Sequence, residues 1–193
     1  LTMKWYQRKY IFDMFIMLIF SPFILSALIL VTVLLMLFDG RPIIFKSQRV
    51  GANQKVFTMY KFRSMVPDAP IVETDLMDVT SNYITKFGRV IRMTSLDELP
   101  QLFNVITGDM SLVGPRPALP SQSELNKARL DLGISLCKPG ITGLAQIKGR
   151  DALSLNNKVS YDLLYLHNRK LTYDTCIIIS TVTKILSRSN ISH

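Results

Sequence analysis

Residues 14–38 form an uninterrupted apolar run, which constrains the fold of this chain more than any other feature of its sequence. The run contains no charged residue, and as a single helix it is long enough to cross the roughly 30 Å hydrocarbon core of a bilayer. A cleaved secretory signal fits poorly, because the run is too long and no small-residue cleavage site follows it. The sequence therefore predicts a membrane-associated segment near the start of the chain.

Two features of this run leave its topology open. Basic residues flank it on both sides, at Lys4, Arg8 and Lys9 before it and at Arg41, Lys46, Arg49 and Lys55 after it. The positive-inside rule would place both flanks on the cytoplasmic face. Pro22 removes one helix hydrogen bond, and Ser21 can bond the freed backbone. The charge symmetry and the proline favour a re-entrant helix-break-helix, whereas the length of the run favours an ordinary kinked span.

Composition narrows the class of partner. The chain of 193 residues suits this membrane segment plus one compact domain. Its formal net charge of +9 suits anionic lipid headgroups, phosphorylated substrates or nucleic acid. Because no RNP, zinc-finger or helix-turn-helix signature is present, we expect no nucleic acid among its partners. Cys137 and Cys176 form no metal or redox motif, which favours reduced thiols in the cytoplasm.

The stretch 94–117 combines an acidic pair with a proline–arginine corner. Asp97 and Glu98 lie at the predicted start of a helix, with Ser95 as N-cap and Glu98 completing a capping box. Asp97 either only complements the helix dipole or takes part in catalysis. The corner follows at Gly114–Pro117. The predicted helix has one apolar face, made of Leu99, Leu102, Phe103 and Ile106, and Gly108 fits its C-terminal stop.

The remaining segments predict a mixed α+β fold. Residues 42–62 read as a β-hairpin with its turn at Gly51–Gln54. Residues 66–80 read as a polar loop, and Tyr83–Met93 as a short basic amphipathic helix that lies either at a membrane interface or on the protein core. Residues 138–150 read as a glycine-rich loop whose backbone N–H groups could hold phosphate. Residues 158–168 and 174–188 read as helices, and the second has an apolar face that would suit a membrane surface.

The order of these motifs resembles the bacterial sugar transferases of the monotopic phosphoglycosyl transferase superfamily. The resemblance is to small members that consist of little more than the catalytic domain. It runs almost from end to end of the chain and includes the Ser21-Pro22 dipeptide. Its most specific segments are 44–65, 88–117 and 139–150, and Asp162, Tyr165 and Asp174 complete it.

This resemblance implies short helices around a β-hairpin, with a re-entrant membrane helix over 1–40 and a catalytic domain over 41–193. It implies transfer of a sugar 1-phosphate from a UDP-sugar to polyprenol (undecaprenyl) phosphate, through a covalent aspartyl intermediate and with release of UMP. Such an enzyme would catalyse the first membrane step of glycoconjugate assembly. It would lie in membrane lipids of the bacterial inner membrane, with its domain on the cytoplasmic face, and the resemblance admits a homodimer.

The resemblance also assigns roles to individual residues. Asp97 is implied as the nucleophile, Glu98 as a ligand of Mg²⁺, and Arg116 as a phosphate contact, although a purely structural ion pair of Arg116 stays open. Asp162 would support the metal or orient a basic residue. Lesser candidates for phosphate binding are Arg150, Lys61 and Arg63.

Two other classes of protein are weighed against this enzyme. A non-catalytic basic adaptor at the membrane surface explains the charge and the apolar run, but not an acidic pair followed by Gly114–Pro117. A multi-span transferase would need many apolar runs, and only 14–38 is long enough.

Overall fold

The computed structural model describes residues 3–69, 81–149 and 152–187, and it confirms the α+β class. The strands are β1 Ile44–Val50, β2 Val56–Phe62, β3 Ser111–Val113 and β4 Gly140–Thr142. The α-helices are α1 Met3–Phe38, α2 Lys86–Met93, α3 Gln101–Ile106, α4 Ser123–Asp131, α5 Leu144–Lys148, α6 Leu155–Asn168 and α7 Leu171–Ser187. Single 3₁₀ turns cover Ala52–Gln54, Ser81–Tyr83, Leu96–Glu98 and Ile134–Leu136.

The predicted hairpin is confirmed. Strands β1 and β2 pair antiparallel, with Ile44 opposite Phe62 and Val50 opposite Val56. The turn between them takes the left-handed backbone conformation at Asn53, whose φ is 54°. This conformation suits asparagine better than most side chains, so the local sequence selects the turn.

A second, parallel sheet was not predicted. It joins β3 to β4, with Ser111 opposite Gly140 and Val113 opposite Thr142. Each strand has only three residues, so neither shows an alternation that a sequence pattern can reveal. The pairing brings the corner after β3 next to the glycine-rich segment after β4.

Both ends of α1 pack against the rest of the protein. Near its C-terminal end, Val31 and Leu35 are buried in one core cluster with Phe62 and Ile91. Nearer its N-terminus, Met14 and Met17 pack on a second cluster, which contains Phe57, Met59, Val105 and Met110. Helix α1 is therefore attached to the body of the protein at two separated places.

The middle of α1 is instead exposed. Its exposed large apolar side chains between these attachments are Leu18, Ile19, Phe20, Phe23, Leu25, Ile29 and Leu30. Within the ranges that the structure describes, α1 is the one helix long and apolar enough to cross a membrane. A helix of this length and composition, with this many exposed apolar side chains, suits the hydrocarbon core of a bilayer better than water.

Helical backbone continues through Pro22, so the predicted break does not interrupt α1. Ser21 Oγ donates a hydrogen bond of 2.8 Å to the carbonyl oxygen of Leu18. That oxygen is the one that a backbone N–H at position 22 would have bonded. The prediction that Ser21 bonds the freed backbone is confirmed.

The apolar face predicted for the helix at α3 is only partly covered, since Leu99 packs on the first core cluster. Phe103 and Ile106 are 55% and 52% exposed, whereas Gln101, Asn104 and Val105 are buried. Asn104 explains the orientation, because its Nδ2 donates to Thr58 O at 2.8 Å and its Oδ1 accepts from Tyr60 N at 3.1 Å. The helix stops at Gly108, whose φ of 84° confirms the predicted C-terminal glycine.

The other predicted helices are present with shifted ends. Helix α2 begins after Thr85, whose Oγ1 accepts from Gly88 N at 2.8 Å, and it buries Ile91 while Val90 stays exposed. Helix α7 buries Ile177 and exposes Ile179, Val182 and Leu186. Most of the predicted loop over 66–80 lies outside the described residues.

Candidate active site

The acidic pair lies in a 3₁₀ turn over Leu96–Glu98, and both carboxylate side chains are buried, with residue exposures of 7% each. The predicted capping box is wrong. Ser95 has a left-handed backbone with φ 56°, and its side chain makes no capping hydrogen bond. The backbone N–H of Glu98 donates to Ser95 O at 3.2 Å, so this amide is used within the turn itself.

Two cations converge on Glu98. Lys61 Nζ, on β2, lies 2.9 Å from Glu98 Oε1, and Arg116 Nη1 lies 3.5 Å from the same oxygen. The Arg116 side chain keeps 29% of its surface exposed, whereas that of Glu98 keeps 8%. Three of the predicted site residues are therefore brought together, with the arginine on the open side.

Close backbone packing fixes the corner that carries Arg116. Gly114 N donates to Thr142 O at 2.9 Å, and Gly140 N donates to Pro115 O at 2.9 Å. A Cβ on Gly114, Gly140 or Gly143 would overlap backbone atoms of the facing segment. The glycines of 140–143 thus allow two backbone segments of this chain to pack closely. The N–H of Gly140 bonds the corner at Pro115 O and not a ligand.

Asp162 orients a basic residue, which was one of its two predicted roles. Its Oδ2 accepts from Arg129 Nε at 3.0 Å and from Arg129 Nη2 at 2.6 Å. Arg129 Nη1 in turn donates to the carbonyl oxygen of Arg116 at 2.8 Å. Burial raises the pKa of Asp162, and the adjacent guanidinium opposes that shift. This chain of contacts fixes the backbone of Arg116.

Arg116 lines three cavities, of which two are also lined by Gln146. The larger, here called the apolar cavity, measures about 240 Å³, and its wall combines the aliphatic Leu99, Leu102, Ile147 and Ile185 with Glu98, Lys148 and Lys184. The second, here called the basic cleft, is lined by Arg49, Arg129 and Lys158. Arg116 and Gln146 line both cavities.

The other predicted phosphate contacts fall outside this arrangement. Arg63 is buried at the C-terminal end of α1, where its Nη2 donates to the carbonyl oxygens of Asp39 and Gly40. It therefore caps that helix instead of joining Lys61 at Glu98. Arg150 lies outside the described residues.

Sequence reasoning did not single out Arg129, which contacts the Arg116 carbonyl oxygen, nor Lys158 and Gln146, which line the basic cleft, and it used Arg49 only as a basic flank of the apolar run. Arg129 and Lys158 sit inside helices, where a single basic residue carries no local signal. Arg49 Nη1 donates to Pro117 O at 3.4 Å, next to the Arg116 corner. Its place inside the specific segment 44–65 was the signal that could have found it.

A buried polar network joins α1 to the segment before the corner. Lys9 Nζ lies 2.5 Å from Asp174 Oδ2, and Asp13 Oδ2 accepts from Ser111 Oγ at 2.6 Å. Tyr165 Oη donates to Asp174 Oδ1 at 2.9 Å and lies 3.2 Å from Val113 O. Burial, followed by the charge of Asp174, raises the pKa of Tyr165 far above its usual value, so the phenol remains a donor.

Comparison with known proteins shows the family to which the chain belongs. The sequence profile described as "Bacterial sugar transferase" matches residues 4–188. The undecaprenyl-phosphate galactose phosphotransferase of Salmonella typhimurium is 42% identical over 165 residues, which are 78% of this chain and 34% of that protein. The chain thus spans about a third of the length of this relative.

Two further relatives give a similar picture. The UDP-glucose:undecaprenyl-phosphate glucose-1-phosphate transferase of Klebsiella pneumoniae is 43% identical, with 74% of this chain and 32% of that protein covered. The exopolysaccharide production protein ExoY of Rhizobium meliloti is 33% identical, with 90% of this chain and 82% of that protein covered. Since the family profile spans nearly all of the chain and ExoY is covered over most of its length, the protein belongs to the bacterial sugar transferase family.

Proposed function

We propose that this protein is a phosphoglycosyl transferase that moves a sugar 1-phosphate from a UDP-sugar to polyprenol phosphate and releases UMP. The observation that carries the proposal is the buried Asp97–Glu98 pair, with Lys61 and Arg116 converging on Glu98 at the wall of a cavity. A membrane-surface adaptor has no use for such a costly buried arrangement. The names of the Salmonella and Klebsiella relatives support the same substrates.

In the first half of the reaction, a carboxylate oxygen of Asp97 attacks the phosphorus that carries the sugar. A bond forms between them, and the bond from that phosphorus to the bridging oxygen breaks, so that UMP leaves with the electron pair. Arg116 offsets negative charge on the phosphate oxygens, since its guanidinium is the exposed cation of the site. Lys61 holds Glu98 in position beside the nucleophile.

The donor set fits a magnesium ion. Across the described residues no group of three or more His, Cys, Asp or Glu side chains is arranged to enclose a metal. Mg²⁺ needs no such cage, because it is usually held by one or two carboxylates together with substrate phosphates. Glu98 would hold the ion, which when bound would withdraw charge from the diphosphate of the donor.

In the second half, an oxygen of polyprenol phosphate attacks the same phosphorus, and the bond to Asp97 breaks. This restores the carboxylate and yields polyprenol diphosphate sugar. Splitting the transfer in two lets a water-soluble donor and a lipid acceptor use one site in turn. The acceptor requires a membrane location, and the exposed apolar middle of α1 provides a means of attachment.

We place the protein at the cytoplasmic face of the inner membrane, with α1 entering and leaving on that face. The support is that α1 is attached to the same body near both of its ends, through Met14 and Met17 and through Val31 and Leu35. Its basic flanks agree with one cytoplasmic side for both ends. The Ser21 hydroxyl lowers the cost of placing Pro22 inside an apolar environment.

The covalent step has a direct test. We expect purified protein mixed with Mg²⁺ and UDP-glucose or UDP-galactose, without acceptor, to gain the mass of one sugar phosphate. Asp97→Asn keeps the shape of the side chain but removes the anionic nucleophile, so it should gain no mass and show no turnover. Intact-protein mass spectrometry measures the adduct, and peptide mapping locates it.

The matched control is Asp131→Asn, because Asp131 is exposed at the end of α4 and should leave adduct formation unchanged. An adduct that maps to Glu98 would exchange the roles of the two carboxylates. Full turnover by Asp97→Asn would contradict the covalent route and favour direct displacement of UMP by polyprenol phosphate. A wild-type protein that forms neither adduct nor UMP with any UDP-sugar would contradict the proposed activity itself.

A further inference from the structure

Strand β3 leads directly into the corner that carries Arg116. The strand ends at Val113, three residues before the arginine, and within its sheet it pairs with the equally short β4. Two side chains from outside that sheet also contact β3. Asp13 Oδ2 accepts from Ser111 Oγ at 2.6 Å, and Tyr165 Oη lies 3.2 Å from Val113 O. The position of the corner therefore depends on these two contacts as well as on the sheet.

Both contacts lead back to one face of α1. Asp13 belongs to that helix and is only 2% exposed. Tyr165 Oη donates to Asp174 Oδ1 at 2.9 Å, and Asp174 Oδ2 lies 2.5 Å from Lys9 Nζ. Lys9 and Asp13 are four residues apart on a helix, so they project from the same face. Buried polar side chains thus join α1 to the first and the last residue of β3.

The polar character of this attachment distinguishes it from the attachment near the other end of α1. Val31 and Leu35 pack there on aliphatic and aromatic side chains, and such apolar contacts are not directional. Hydrogen bonds depend on distance and angle, so they fix β3 relative to α1. Burying Lys9, Asp13 and Asp174 costs desolvation that apolar side chains of similar size would avoid. Attachment alone therefore does not account for these residues.

We propose that Asp13 and Tyr165 are positioning residues, which hold β3 so that the guanidinium of Arg116 is placed for the substrate phosphate. Neither residue lines the apolar cavity or the basic cleft. This inference rests on the proposed function. It adds that α1 sets the geometry of the phosphate contact, directly through Asp13 and, through Lys9 and Asp174, by way of Tyr165. Loss of either contact to β3 should therefore reduce transfer through its effect on Arg116.

A double-mutant cycle with Arg116 tests this role. Asp13→Leu removes the acceptor of Ser111 Oγ, so kcat/KM for UMP release from a UDP-sugar should fall about tenfold, as expected for one lost buried hydrogen bond to a charged group. In an Arg116→Lys background the same change should cost less than about twofold, because the guanidinium that Asp13 positions is already absent. Asp13→Asn retains an oxygen that accepts from Ser111 and should recover most of the activity.

The matched control is Asp39→Leu, at the other end of α1. Asp39 Oδ2 accepts from Thr85 Oγ1 at 2.7 Å, so this variant also removes a carboxylate acceptor but makes no change at β3. Any loss of activity that it causes should have the same factor in both backgrounds. Equal factors for Asp13→Leu in the two backgrounds, or no loss in either, would overturn the inference and leave the proposed transfer in place. A wild-type protein that releases no UMP would instead contradict the proposed function.

A second variant keeps the test independent of whether Asp13→Leu folds. Tyr165→Phe keeps the ring in its core cluster and removes only the hydroxyl beside Val113 O. UMP binding, measured by calorimetry in detergent, should weaken about fivefold in Tyr165→Phe, because Arg116 is the proposed contact of its phosphate. In the Arg116→Lys background, Tyr165→Phe should leave the remaining affinity unchanged. The same weakening in both backgrounds, or wild-type affinity in Tyr165→Phe, would overturn the role of Tyr165.

Discussion

At the residue scale, the site depends on how each charged side chain is held, not only on its charge. Glu98 is fixed by Lys61 at 2.9 Å, while Arg116 lies farther from it at 3.5 Å and is more exposed. Arg129 Nη1 donates to the carbonyl oxygen of Arg116, so the position of this arginine is also fixed through its backbone. This arrangement explains why a planar, multi-donor cation stands at the corner.

The variant Arg116→Lys tests that explanation. Lysine keeps the charge but loses the planar fork, so kcat/KM should fall about 10- to 100-fold, as expected for one or two lost charge-assisted hydrogen bonds. UMP release from a UDP-sugar is the measurement, and the exposed Arg89→Lys on α2 is the control. Unchanged turnover in Arg116→Lys would transfer the phosphate contact to another basic residue, with Arg150 as the first to examine.

At the element scale, periodicity predicted which elements form but not always which face is buried. The hairpin and the helices α6 and α7 follow from alternation and helical spacing. Helix α3 does not obey the same rule, because the amide of Asn104 bonds the backbone of β2 and turns Phe103 outward. An apolar stripe identifies one face of a helix, but it does not show whether that face is covered by the protein core or, in a membrane-bound protein, by lipid.

The site was predictable mainly where its residues lie in the specific segments, Lys61 in 44–65 and the others in 88–117. Asp97, Glu98 and Arg116 lie in one specific segment, and the structure brings Glu98 and Arg116 together. The contacts that support them come from far away in sequence, as Arg129 with Asp162 shows. Such pairings follow from the way β3, β4 and the helices pack, and local periodicity in the sequence does not predict them.

Tyr165 is the prediction at this scale, since it connects α6 to α7 and to the end of β3. Tyr165→Phe removes the hydroxyl that donates to Asp174 Oδ1 and lies within bonding distance of Val113 O. Because these buried acceptors lose their donor, we expect a loss of about 1–3 kcal/mol in the free energy of unfolding. Chemical denaturation in detergent measures it, with the exposed Tyr83→Phe as control. Equal stabilities would show that the hydroxyl contributes little.

At the scale of the whole molecule, α1 is part of the folded body, and in the proposed function it also attaches that body to the membrane. Its buried Lys9–Asp174 pair and its contact from Asp13 to Ser111 secure one end, and Val31 and Leu35 secure the other. Removing Lys9 while Asp174 stays buried would cost about 3–5 kcal/mol, and exposing each aliphatic side chain about 1.5–3 kcal/mol. A true span would have to detach one end from the body, so packing opposes it even though the apolar run is long enough.

Topology in intact cells is therefore the last prediction. Cys176 is exposed and Cys137 buried, so Cys176→Ser provides a background with little reactivity of its own. In that background, Lys4→Cys and Lys46→Cys should both resist a membrane-impermeant maleimide in intact spheroplasts and both react after lysis. Phe20→Cys, in the exposed apolar middle of α1, should stay unreactive in both conditions because lipid covers it. Labelling of Lys4→Cys but not Lys46→Cys before lysis would establish a spanning helix and would contradict the attachment of the N-terminal part of α1 to the body of the protein.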